Sequence, residues 1–160
     1  MPDSACNGMQ IKVVNSNITQ SGQPASITIT AAAPASNGKG GTLTDARGNS
    51  PPSVPISVPH NGSYSFTAAS SDGSGGWAKG SLSIQCIYGG SATSPGEPEL
   101  LTVSYSGEPS AFPSHANNCT GTGSSEVQSS HFTATGSGSQ GKGGGCVVTF
   151  TVMNGGSSGA

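Results

Sequence analysis

The sequence predicts an all-β chain folded as an antiparallel β-sandwich, immunoglobulin-like or jelly-roll-like, with seven to nine short strands. Three observations carry this expectation. Apolar and polar residues alternate in one short segment after another, the period of a half-buried strand. Good helix formers are scarce: four Leu, four Glu, four Lys and one Arg in 160 residues. Clusters of Gly, Asn, Asp and Ser punctuate the alternating segments, as turns require.

In chain order, residues 9–13 place Met9, Ile11 and Val13 on one face, with Gln10 and Lys12 on the other. Residues 25–31 set Ile27 and Ile29 against hydroxyls, with Ala25 and Ala31 sharing the apolar parity. Residues 54–59 alternate too, but Pro55 and Pro59 cannot donate to a ladder, so this segment is expected at a sheet edge with its prolines facing solvent. Residues 64–68 carry Phe66 and Ala68 inward. Residues 82–88 group Leu82, Ile84, Cys86 and Tyr88, opposite Ser83 and Gln85. The patterns of 9–13, 101–105 and 127–132 are the weaker ones, and a strong one groups Cys146, Val148, Phe150 and Val152. Turns are expected at 36–38, 46–49, 60–62, 71–73 and 137–145.

Composition alone leaves a disordered chain open, since Val, Ile, Leu and Phe number only 24. A net charge of −2 supplies no self-repulsion, however, and the repeated alternation decides for strands. A single domain over residues 1–160 with a Gly/Ser-rich C-terminal tail is expected. Two small β units, 1–89 and 99–160, are the alternative, because C-N-G at Cys6 and C-T-G at Cys119 each precede an F-T-A strand. The core is thin for this length, so disulfides or neighbouring subunits are expected to complete it.

Five cations cannot neutralise a run of phosphates, which argues against nucleic acid as a partner. No apolar run approaches the roughly 18 residues of a membrane span, so no membrane insertion is expected. The first ten residues show neither a basic nor an apolar region of a signal peptide. Four cysteines, Cys6, Cys86, Cys119 and Cys146, lack the C-x-x-C spacing of zinc or redox motifs and read as two disulfides, with free buried thiols as the alternative. Three connectivities are open. The shortest loop favours Cys119 with Cys146, which leaves Cys6 with Cys86. Sequons at Asn17, Asn61 and Asn118 match what chance gives in a chain so rich in Ser and Thr.

No catalytic constellation is visible, and no cofactor or metal is implied. Residues 136–142 spell G-x-x-x-x-G-K, but Gly143 replaces the Mg²⁺-binding hydroxyl and a strand follows, so a hairpin loop is expected there. Residues 155–159 match G-x-S-x-G in letters only. His60, His115 and His131 lack ligand spacing, and Glu97, Glu99 and Glu108 cluster beside prolines as loop solubilisers. Asp72 alone cannot hold calcium. Trp77, close to Lys79 and after a Gly/Ser loop, is the one candidate contact for a glycan or protein partner, with a core-capping Trp as the alternative.

Residues 21–30, S-G-Q-P-A-S-I-T-I-T, and residues 62–67, G-S-Y-S-F-T, resemble the G-x-x-x-x-I-x-I and G-x-Y-x-F strands of bacterial and phage immunoglobulin-like domains. The resemblance covers about 20 residues and implies a β-sandwich used as a spacer, adhesion module or virion decoration. The expected function is therefore a non-enzymatic structural subunit of an extracellular or virion assembly, such as a capsid decoration protein or a surface filament subunit. Its partners would be copies of itself or other structural subunits. The alternative is a carbohydrate-binding or cell-surface adhesion module that uses Trp77 on surface glycans.

Overall fold

The structure, a computed structural model, describes residues 9–18, 22, 24–35, 41–69, 78–90, 95–108, 118–124, 131–140 and 146–154. Among these residues there are ten strands and no helix. They are β1 (Met9–Asn15), β2 (Ile27–Pro34), β3 (Thr42–Thr44), β4 (Ile56–Val58), β5 (Ser63–Ala69), β6 (Ala78–Gly90), β7 (Pro95–Glu108), β8 (Asn118–Ser124), β9 (Phe132–Gln140) and β10 (Cys146–Asn154). Two five-stranded sheets result: the first in the order β3-β5-β1-β10-β9, the second in the order β4-β2-β6-β7-β8.

The period-2 pattern fixes which residues meet between the sheets. Ile11, Val13 and Met9 from β1, Val148, Phe150 and Val152 from β10, and Phe66 and Ala68 from β5 line the first inner face. Ile27 and Ile29 from β2, Leu82, Ile84 and Cys86 from β6, and Leu101, Val103 and Tyr105 from β7 line the second. All belong to one buried cluster, and it draws on both sides of residues 89–99. Through that region β6 and β7 run as a long antiparallel pair, in register from Ala78↔Gly107 to Gly90↔Pro95.

Three local expectations need correction. Among the described strands every pairing is antiparallel except one: β1 runs parallel to β10, from Met9↔Cys146 to Asn15↔Val152. Ala31 faces out and Ala32 takes the core position, because the β2–β6 register shifts between Ile29 and Ala31 and a bulge reverses the parity. Residues 136–140, expected in a turn, continue β9, with Gly136 opposite Phe150 and Gly138 opposite Val148. The edge reading of 54–59 agrees with the structure: β4 ends its sheet, and Pro55 and Pro59 are exposed.

The glycines of β9 have counterparts in β8. Gly121 pairs with Tyr105 and Gly123 with Val103, so both strands place glycine at inner-face register positions. Glycine in a strand permits another backbone to approach closely. Here β8, the edge of one sheet, lies alongside β9, the edge of the other, with Cα atoms within 8 Å, and part of β8 also comes within 8 Å of β10. Facing sheets ordinarily stand about 10 Å apart. The sandwich is therefore pinched shut along β8 and β9, whereas its other side ends in the three-residue strands β3 and β4.

Between those two short strands, Asp45 organises the loop. Its carboxylate accepts the N–H groups of Arg47, Asn49 and Ser53 at 2.9, 2.8 and 2.9 Å and the Asn49 amide at 3.1 Å. Gly48 supplies the left-handed turn, at φ +91°, that lets the chain curl round the carboxylate. The Tyr64 hydroxyl accepts the Ala46 N–H at 3.2 Å and ties the loop to β5. The Ser53 N–H, above the other donors and against partial burial, lowers the Asp45 pKa from 3.8 to about 2. A lowered folded-state value means that the carboxylate stabilises the fold fully above about pH 4 and that this contribution disappears as pH falls through 2. Asp45→Asn should melt below the parent at pH 7, and the difference should close near pH 2. Thermal melts across that range check it; a gap independent of pH would contradict the ionic origin.

Candidate functional site

The polar groups of the inner face gather at one end of the sandwich, where β1, β9 and β10 in one sheet meet β2, β4, β6 and β7 in the other. The alternation of β1 continues past its apolar residues into Asn15 and Asn17, both fully buried. Asn15 Nδ2 donates to the carbonyls of Ala25 and Val58, each at 2.9 Å, and its Oδ1 accepts the Asn17 N–H at 2.8 Å. Its backbone joins the turn after β4, accepting from Asn61 N–H at 2.8 Å and donating to Gly62 O at 3.0 Å. One side chain thus links β1 to β4 and to the approach to β2. His60 Nδ1 donates to the Asn17 carbonyl at 2.8 Å, and Asn154, at the end of β10, donates to the Ile18 carbonyl at 3.1 Å. Among the described residues, neither amide atom of the Asn17 side chain has a hydrogen-bond partner.

Beside this network stand Cys86, Glu99 and His131. Cys86 and Glu99 are cross-strand partners on β6 and β7, so they share a face. His131, immediately before β9, donates from Nδ1 to Glu99 Oε1 and so ties the two sheets together. The imidazole and carboxylate are 26 % and 17 % exposed, so the contact is partly shielded from solvent. Glu99 is a strand residue of β7, not the loop solubiliser that its neighbouring proline implies. Its parity with Leu101, Val103 and Tyr105 was the available signal that it faces inward.

A thiol, an imidazole and a carboxylate invite comparison with a nucleophilic site, but the chemistry requires a thiolate. Burial, reinforced by the Glu99 charge, pushes the Cys86 thiol up from 9.0 to about 12. At neutral pH its thiolate fraction is about a thousandfold below that of a free cysteine. Cys86 should therefore stay unalkylated by iodoacetamide at pH 8 in the folded protein and react on unfolding, as peptide mass mapping would show. Rapid labelling of the native chain would contradict this. Among the described residues, no three His, Cys, Asp or Glu side chains are placed to hold a metal ion.

Cys86 is a free thiol, so it makes no bridge with Cys6 in this structure, and of the two roles the sequence leaves it, core packing is the one observed. The physical reason is placement. Asn15 reaches the Cys86 end of the sandwich, which puts Met9, where β1 begins, at the opposite end. Cys6 lies outside the described residues, and of Cys119 and Cys146 only the backbone is described, on β8 and β10. Trp77, His115, Asp72 and residues 155–159 also fall outside the described residues. Lys79 is half-buried on β6 opposite Ser106, and its carbonyl accepts the Ala35 N–H at 2.8 Å. Glu97 is exposed on β7, and Asn61 is exposed on its turn at φ 64°, whereas the sequon at Asn17 is buried. Among the described residues no helix is long and apolar enough to cross a membrane. No protein-family model matches the chain, and no curated protein matches it either.

Proposed function

We propose that the chain is a non-enzymatic structural subunit that packs, through the outer face of its first sheet, into an extracellular or virion assembly such as a capsid decoration or a surface filament. The observation that carries this reading is the chemistry of that face. On β10 it presents Val147 and Met153, 37 % and 38 % exposed, with Thr149 and Thr151 between them. Thr133, Thr135 and Ser137 on β9 and Val14 on β1 flank them. Lys12 is the one charged side chain among the described strand residues of the face. A surface with exposed apolar groups and short hydroxyls gives up little hydration when covered, which favours packing against a neighbour. The parallel pairing of the first and last strands supports an immunoglobulin-like form of the sandwich over a jelly roll.

Sedimentation velocity over a rising concentration series tests the proposal. The parent chain should associate reversibly, and Val147→Lys with Met153→Lys should shift it to monomer without changing its circular dichroism. A parent chain that stays strictly monomeric at millimolar concentration would overturn self-association through this face.

A further inference from the structure

We propose that Cys119 and Cys146 form a disulfide that joins the two sheets at the end of the sandwich remote from Cys86. The His131–Glu99 contact provides a common starting level in the two sheets. Eight residues along β7 from Glu99 lead to Gly107, the register partner of Cys119. Nine residues along β9 from His131 lead to Gln140, the register partner of Cys146. With a similar rise per residue in every strand, the two cysteines lie at the same height.

Their register positions agree as well. Cys146 continues the inner-face register of Val148, Phe150 and Val152. Cys119, opposite Gly107, falls in the register of Leu101, Val103 and Tyr105, also inner-face positions. A bridge needs Cα atoms about 4.4–6.8 Å apart, closer than facing sheets usually come. Along the glycine-lined pinch between β8 and β9, Cα atoms of β8 come within 8 Å of β10, closer than facing sheets usually stand. Cys86, free and buried at the far end, is not a competitor.

The bond forms by thiol–disulfide exchange with a small disulfide such as oxidised glutathione. One cysteine thiolate displaces a glutathione thiolate to give a mixed disulfide, and the second cysteine displaces the other, so two protein thiols are oxidised and one glutathione disulfide is reduced to two thiols. The inference does not rest on the assembly reading, because the oxidant is supplied in the test.

The full chain, reduced and refolded with oxidised and reduced glutathione, should lose about 2 Da, the mass of two hydrogens. A non-reducing digest should then yield one linked pair of peptides, containing Cys119 and Cys146, with Cys86 recovered as a thiol. Cys119→Ser and Cys146→Ser should each abolish the link, and Cys6→Ser should leave it intact. Reduction should lower the melting temperature by about 10 °C, as closing a loop of this length implies. Should either variant fail to fold, the map of the parent chain decides alone. A link involving Cys6 or Cys86, or four free thiols after oxidation, would overturn the proposal.

Discussion

Replacing Asn15 with alanine should cost about 3–5 kcal/mol, one of the two largest single-residue losses expected in this chain. The substitution strands three groups at once: the Ala25 carbonyl, the Val58 carbonyl and the Asn17 N–H, each now held at 2.8–2.9 Å. A buried group that loses its partner costs roughly 1–3 kcal/mol, and the Ala25 contact is only partly buried, which places the sum below the maximum. In a chain of this size the loss corresponds to a fall of about 10 °C in melting temperature. Asn15→Asp should be no better, because it surrenders both donors and turns a charge toward two carbonyls. Asn17, two residues on, should behave in the opposite way. Its amide has no partner among the described residues, so Asn17→Leu should be neutral or stabilising. Denaturant titrations of the three variants check the contrast. A cost under about 1 kcal/mol for Asn15→Ala would show that solvent reaches the three groups.

The second large effect is at Gly80. It sits on β6 directly opposite Tyr105, which is 2 % exposed, and opposite Pro34 of β2 on its other side. An added Cβ would overlap the Tyr105 hydroxyl and the Ala33 carbonyl and would stand 2.7 Å from Tyr105 Cζ. The phenol ring thus occupies the place where a side chain would begin. Overpacking of this kind typically costs 1–3 kcal/mol, and because one obstacle is backbone, Gly80→Ala should lie at about 3 kcal/mol. Gly80→Val should prevent folding. A double-mutant cycle with Tyr105→Ala should recover part of the loss, since it clears the ring and leaves the carbonyl in place. Additive effects would contradict the overlap. Tyr105→Phe should be tolerated, since the buried hydroxyl has no partner among the described residues and burial raises its pKa further from neutrality.

Where alternation was strict, the sequence showed the fold directly. Ile27, Ile29, Leu82, Ile84, Val148 and Phe150 all stand where their parity places them. Three features escaped for physical reasons. The β2 bulge exchanged Ala31 for Ala32, and nothing in a run of three alanines marks where a register slips. β8, with the sequence N-C-T-G-T-G-S, offers no apolar face at all, so the period has nothing to act on. The glycines of β9 read as turn punctuation, yet their role is to let two sheet edges meet. The polar end was partly legible, because Asn15, Asn17 and Glu99 keep the inner parity of their strands. What the sequence could not supply was the encounter of distant segments: Asn15 with Val58, or His131 with Glu99.

The parallel seam between β1 and β10 also determines how the molecule carries force. The chain enters β1 at one end of the sandwich and leaves β10 at the other, after seven consecutive register pairs. Tension between the segment before Met9 and the segment after Asn154 therefore acts along the seam, as shear. The inter-strand hydrogen bonds of the seam share such a load and must yield together, whereas a hairpin pulled from its two ends opens one bond at a time. Extension is resisted by the whole length of the contact, which makes the first and last strands a mechanical clamp around everything folded between them.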